Sequence, residues 1–440
     1  MSAPAFFKIL RKDNRMALPP SVAIEGDGPD RATAYGWIVF ALSFGLLISD
    51  YMARQVLNAV FPLLKVQWAL SDAQLGGLSS MVSIAVGLLT FPLSLAADRL
   101  GRVKSLTAMA VLWSVATLLC GLAQNYGQMF AGRLLVGVGE AAYGSVGIAV
   151  VIAIFPTRMR ATLSSAFLAG TIFGQVLGVA LGGQIAAAHG WRTAFVAIAL
   201  FGLVLAALYP LVVKENGLGR PAPAAAAPAL DYRKLPGQLF GSRSIIFAYL
   251  GSGFQLYATG ALAVWLPSFF NRAYAMPLDR AAKVTALYLL VSGIGMILCG
   301  MLSDRRARID PVGKVNVAIA LSLSSALLLG LAFIAPPGLA QLTLLGCAIF
   351  SVAGVAGISG AMVANLTPVA IHGTAFATLA LANNLIGLAP GPWLTGLIAD
   401  RIGLVGALQF LPFACLGSAV CYLAARRSYA TNLALLRVAR

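Results

Sequence analysis

The sequence predicts an all-α membrane protein, with twelve transmembrane helices in two pseudo-symmetric six-helix halves. Three observations carry this expectation. Of the 440 residues, 60% are hydrophobic and only 10% charged, and the mean hydropathy of +0.87 is far above that of a water-soluble globular chain. About twelve runs of mainly apolar residues follow one another, each long enough to cross a bilayer. The two halves also repeat one glycine pattern at a constant offset.

The runs begin near Tyr35, Leu75, Ser105, Gly127, Leu163 and Thr193, then near Ser244, Ala282, Val315, Ala340, Thr374 and Gly406. Residues 1–33 read as a cytoplasmic tail, because the apolar piece Phe6, Phe7, Ile9, Leu10 is too brief for a signal-peptide core. Residues 34–213 form the first six-helix half. Residues 214–243 contain PAPAAAAPA, which cannot bury a core and reads as a flexible cytoplasmic linker. The second half is 244–425, and 426–440 is a cytoplasmic tail.

Lys and Arg fix the orientation. With both termini inside, 23 of the 31 basic residues fall on inner segments and six on outer loops, while Arg54 and Arg133 lie within spans. This balance explains the net charge of +17 as membrane orientation and gives no support to nucleic-acid binding, which needs a basic patch on a soluble surface. The five cysteines lie in apolar runs without metal-ligand or disulfide spacing.

At an offset of 213, Gly174, Gly178, Gly183 and Gly190 fall on Gly387, Gly391, Gly396 and Gly403, and Leu181, Ile185 and Ala186 on Leu394, Ile398 and Ala399. Such duplication is typical of transporters built from two halves that rock about a central site. Gly170, Gly174, Gly178 and Gly182 of span five recur once per turn and predict a groove for a neighbouring helix.

Charges inside spans point to the site. Arg133 and Glu140 stand seven residues apart in one apolar run, roughly 10 Å along one side of a helix. Each costs a few kcal/mol in a bilayer unless paired or facing water. Asp50 and Arg54, at i, i+4 on span one, can pair directly. Counting from the span ends, the two acids share one depth and the two arginines another. All four are satisfied if spans one and four face each other. An anionic substrate competing for Arg133 or Arg54 would free Glu140 or Asp50 to take a proton, and a permanent ion-pair network is the alternative. The second half has no charge well inside any span, so its cavity candidates are Gln255, Tyr257, Trp265, Asn365, Asn383 and Asn384, with Tyr143 a turn beyond Glu140 in the first half. A charged wall opposite a mostly apolar one suits an amphiphile or an aromatic or aliphatic acid better than a sugar.

Between spans two and three stands DRLGRVK (98–104), echoed by GMLSDRRAR (300–308). This loop resembles the signature of the major facilitator superfamily. The resemblance implies a cytoplasmic gate at Asp98, Arg99, Gly101, Arg102 and Lys104, with Asp304 and Arg305 in the echo. Ser94 stands where the family usually has glycine, and Val179 where drug:proton antiporters have proline. The segments RQV (54–56), LSDAQLG (70–76), RLLVGVGEA (133–141) and NNLIGLAPGP (383–392) are similar to the Spinster-like branch, which moves lysolipid and sphingolipid-like amphiphiles. Organic-anion symporters share the R-x-x-x-G-x-x-E core, so the motif alone leaves the substrate open. Both groups tend to place Asp before the first-span Arg. Here that residue is Ala53, and the nearest acid, Asp50, lies about 4–5 Å away along the helix.

The resulting expectation is a monomeric secondary transporter of the inner (plasma) membrane, using protons and no cofactor or metal. Its substrate is a small organic anion or an amphipathic metabolite. No H-E-x-x-H, G-x-S-x-G or G-x-x-x-x-G-K occurs, which argues against an enzyme. Two unlike halves argue against a symmetric channel.

Overall fold

The computed structural model describes residues 33–215, 235–310, 312–368 and 371–438, and every regular element among them is a helix. The tail 1–32 and the Pro/Ala stretch of the linker lie outside the described residues.

In the first half, α1 (Ala34–Trp68) starts at Thr33, whose hydroxyl accepts from the Gly36 amide, and α2 (Asp72–Leu100) starts at a Ser71–Gln74 capping box. α3 (Arg102–Leu122) is followed by a span in two pieces, α4 (Tyr126–Glu140) and α5 (Tyr143–Ile154), then α6 (Thr157–His189) and α7 (Trp191–Val212). In the second half, the short α8 (Leu235–Phe240) precedes α9 (Arg243–Ala273), α10 (Leu278–Ile309) and α11 (Gly313–Ile334). The tenth span is again broken, into α12 (Leu339–Ala353) and α13 (Val355–Leu366). α14 (His372–Ala382), the π-helical turn α15 (Asn383–Leu388), α16 (Pro390–Leu408) and α17 (Leu411–Val438) complete the chain.

Ten of these helices or broken pairs are each long and apolar enough to span a membrane. The remaining stretch, His372–Leu408 with Leu411–Ala434, is bent by 71°. Gly403 divides it, because its φ of 79° and ψ of 160° interrupt the helix. The arms on either side are spans eleven and twelve, so the twelve-helix expectation holds. Gly190 adopts nearly the same conformation, φ 85° and ψ 157°, between α6 and α7. Glycine takes such angles without a Cβ penalty, and the residues matched by the repeat therefore turn the chain in the same way.

The span-five groove receives α1. A Cβ on Gly174 would lie 2.7 Å from the Ile48 carbonyl oxygen, and one on Gly178 would lie 2.9 Å from that of Met52. Their counterparts Gly387 and Gly391 meet the Gly253 and Tyr257 carbonyls of α9 at 2.6 and 2.5 Å. One turn further, the paired glycines cross between the halves. Gly183 packs on Ala282 of α10 and Gly396 on the Asp72 backbone of α2. These seams hold spans five and eight, and two and eleven, against each other around the centre.

Two segments are more ordered than tail and tether suggest. Glu215, at the head of the linker, accepts from the Arg102 and Val103 amides at 2.7 and 2.9 Å and so caps α3. α17 runs on through Val438 because Tyr429 is buried against Asn365, and Ser428 and Asn432 bond Ser244 of α9.

Candidate functional site

The break in span four falls directly after Glu140, at Ala141 and Ala142, and the break in span ten falls at the repeat-related Gly354. Glu140 therefore ends a helix inside the bundle, with α1 across from it. Arg54 of α1 reaches over, and its Nε lies 3.3 Å from Glu140 Oε2. The Asp50 carboxyl stands beside that of Glu140. Arg133, with no exposed surface, donates to the Ala53 and Arg54 carbonyls at 3.0 and 3.2 Å. Asp50 Oδ1, Arg54 Nη2, Arg133 Nε and Glu140 Oε1 are buried without a hydrogen-bond partner.

Spans one and four thus bring all four charges together, but with different partners from the simplest helical pairing. Arg54 takes Glu140 across the interface and leaves Asp50 on its own helix. At Ala53, where the family's acid would stand, the chain presents a carbonyl to Arg133 instead.

Beside this cluster, between the two halves, is a cavity of about 210 Å³. Its first-half wall carries Arg54, Arg133, Gln55, Asn58, Ser79 and Gln175, and its second-half wall includes Thr259, Ala263, Val264, Leu388 and Pro392. The charged wall facing a mostly apolar one is present. Of the residues proposed for it from sequence, however, only Arg54 and Arg133 line the cavity. Tyr143 is buried behind it, donates to the Ser43 carbonyl at 2.7 Å and meets the Trp113 ring edge-on at 4.9 Å. Gln255 points into the second half, bonding Ser325 and the Val352 carbonyl. Trp265 donates to the Pro392 carbonyl, the Tyr257 backbone packs on Gly391, and Asn383 accepts from Ser252. Asn384 donates to Ala380 and packs on Gly87 of α2. Among these polar groups, helix-to-helix bonding has taken precedence over cavity lining.

The cavity's amides were not singled out from sequence. Gln55 and Asn58 sit a turn apart beside Arg54, and Gln175 interrupts the glycine groove of α6. That conjunction was the available signal.

The end of the bundle carrying Lys65 is closed by charge. Asp72 accepts from Lys65 at 2.6 Å and from both terminal nitrogens of Arg272, in the other half, at 2.8 and 2.7 Å. Asp400, also in the other half, accepts from the Asp72 and Ala73 amides at 2.6 and 2.9 Å, capping α2. At the opposite end no ion pair joins the halves among the described residues. There Asp304 pairs with Lys314 of its own half at 3.1 Å, Arg99, Lys104 and Arg305 are exposed, and Gly101 turns the chain at φ 92°. The Asp98 side chain lies outside the described residues.

Residues 43–361 match the sequence profile of the Major Facilitator Superfamily. The chain belongs to this superfamily. It is 26% identical over 374 residues to the hexuronate transporter of Bacillus subtilis (strain 168), covering 83% of this chain and 88% of that protein. It is also 26% identical over 390 residues to the sphingosine-1-phosphate transporter SPNS2 of Danio rerio, covering 82% and 75%. Its fold is similar to the crystal structure of a bacterial homologue of the human lysosomal transporter Spinster, in an inward-facing and unoccupied conformation. The TM-score is 0.81 at 19% identity, over 91% of this chain and 99% of that one. The superfamily member described here is an integral membrane transporter and not an enzyme, and the Spinster-like resemblance extends through sequence and fold.

Proposed function

We propose that this protein is a proton-coupled secondary transporter of a small organic anion, working by alternating access with both termini on the cytoplasmic side of the plasma membrane. The observation that carries the reading is the position of Arg54, which lines the cavity while its Nε holds Glu140 and its Nη2 is unpartnered. An anionic group arriving at Arg54 competes with Glu140. Released from its counter-ion, Glu140 becomes easier to protonate, with Asp50 beside it as second acceptor. The excess of Lys and Arg on one side supports the orientation, and it makes the Lys65 end the outer one. The charge-locked outer end supports an inward-facing arrangement, in which the signature loop of Asp98, Arg99, Gly101, Arg102 and Lys104, and its echo at Asp304 and Arg305, serve as the opposing gate. The hexuronate carrier among the relatives supports an anionic substrate, and the cavity is smaller than the roughly 300–1,000 Å³ that drug-sized ligands occupy.

The test is reconstitution of Glu140→Gln and Asp50→Asn in liposomes, with uptake followed with and without a pH gradient. The gradient should drive accumulation in the parent and no longer do so in the variants. Unchanged gradient dependence in both variants refutes coupling through these acids.

A second reading, export of a Spinster-like amphiphile, has its own support. An apolar groove of about 450 Å³ lies on another face of α2, lined by Met81, Ile84, Phe130, Leu385 and Trp393. Transport of labelled lysophospholipid without any small organic acid would favour it.

A further inference from the structure

The charge cluster accounts for an anionic group, but it leaves unexplained the amides beside it. Four uncharged side chains from three helices form one directed hydrogen-bonded chain along the cavity wall. Ser79 Oγ of α2 donates to Asn58 Oδ1 at 2.7 Å, Asn58 Nδ2 donates to Gln55 Oε1, and Gln55 Nε2 donates to Gln175 Oε1 of α6 at 3.2 Å. Gln175 enters only through its oxygen, so its amide nitrogen remains a donor. Ser79 enters only through its proton, so its oxygen remains an acceptor. The chain thus ends in an acceptor on α2 and a donor on α6, and all four residues line the same cavity as Arg54.

Gln55 and Asn58 are only 5% and 2% exposed. Buried amides are tolerated while hydrogen-bonded and are penalised when a neighbour strips their partners. An alkyl chain laid on this wall would displace water and offer nothing to Ser79 or Gln175. A run of hydroxyls, each both donor and acceptor, would extend the chain at either end or insert into it. We propose that Ser79, Asn58, Gln55 and Gln175 form the hydroxyl-reading wall of the substrate site, and that the substrate is a small polyhydroxylated carboxylate whose acid group lies on Arg54. This rests on the small-anion reading above. It also revises the sequence argument against sugar-like substrates, which counted hydrogen-bonding groups only in the second half.

The opposite wall fits the same ligand. Thr259 is occupied, donating to the Gln255 carbonyl at 3.1 Å, and Ala263, Val264, Leu388 and Pro392 are apolar. A polyhydroxylated acid therefore meets hydrogen-bonding groups on one side and carbon on the other. A site built to bond hydroxyls discriminates strongly against analogues that lack them.

The experiment compares matched acids on the purified full chain in nanodiscs, by calorimetry and by proteoliposome uptake. D-gluconate is set against hexanoate, and D-glucuronate against cyclohexanecarboxylate. At least one hydroxylated acid should bind about ten-fold or more tightly than its partner, and Asn58→Leu and Gln175→Leu should remove that advantage while leaving the unhydroxylated acid's affinity within about two-fold. Ser79→Ala, at the chain's end, serves where the leucine variants do not fold. It should weaken the hydroxylated acid a few-fold and spare its partner. Equal affinity within both pairs, or variants that weaken both members equally, overturns the hydroxyl-reading wall alone and leaves anion transport standing. Binding of none of the four acids overturns both readings.

Discussion

Arg272 holds Asp72 with both terminal nitrogens, at 2.8 and 2.7 Å, and in doing so ties the seventh span to the second across the two halves of the molecule. The Asp72 side chain is 4% exposed and that of Arg272 27%, so this pair is less screened than a free surface contact. The proposed alternating access requires that it break. Removing it with Arg272→Ala should favour opening of the Lys65 end by on the order of 1–2 kcal/mol, a factor of about 5–30 in population. Spin labels at Val66 and Leu339, both exposed at this end, in a Cys347→Ser background, should show a longer distance component. Arg272→Lys, which keeps charge and loses the fork, should lie between.

Asp400 grips the same helix start, giving one oxygen to each of the Asp72 and Ala73 amides. Asn at this position keeps one carbonyl oxygen as acceptor and has no charge, so Asp400→Asn should weaken closure by about 1 kcal/mol, as loss of a helix cap does. The double variant with Arg272→Ala should fall short of the sum of the singles, because both groups hold Asp72. Additivity in the same label pair would show instead that the cap and the ion pair act independently.

Arg133 separates structure from function. Its partners, the Ala53 and Arg54 carbonyls, belong to a continuous helix, so its loss leaves no buried acceptor stranded. Replacing a buried charge with an apolar residue of similar volume is often neutral or stabilising. Arg133→Met should keep the thermal midpoint within a few degrees of the parent while uptake of an anionic substrate falls about ten-fold or more. A collapsed midpoint would make Arg133 a structural strut of spans one and four.

The parts legible in the sequence are those that depend on spacing along one helix. The span starts, the glycine groove and the 213-residue repeat need only periodicity, and the repeat extends to the paired φ angles of Gly190 and Gly403. What was hidden depends on how helices rotate against each other. An i, i+4 rule offers Asp50 to Arg54, but only the packing of α4 on α1 shows that Glu140 is the partner. Gln255 and Asn383 sit on helices too apolar for sequence to reveal which polar face looks inward, and neither lines the cavity. The break after Glu140 falls at two alanines, strong helix formers, so local propensity conceals it. Nothing in the spacing of Asp400 or Arg272 along the chain shows that both reach Asp72.

The glycine groove gives the sharpest test of close packing. At Gly178 an added methyl would lie 2.7 Å from the Met52 Cα and 2.9 Å from its carbonyl oxygen. Backbone cannot rotate aside as a side chain can, so α1 and α6 must separate. Gly178→Ala should therefore cost about 1–3 kcal/mol by overpacking and lower both folded yield and thermal midpoint. Gly391→Ala should do the same in the second half, where the Tyr257 carbonyl stands at 2.5 Å. Gly300, with nothing within 4 Å of the added carbon, supplies the contrast. Gly300→Ala should be neutral or slightly stabilising, since alanine is the better helix former by about 1 kcal/mol. Equal loss of midpoint in all three variants would mean that the glycines act through helix flexibility. Loss confined to Gly178 and Gly391 assigns them to the contacts that hold each half's fifth helix against its first.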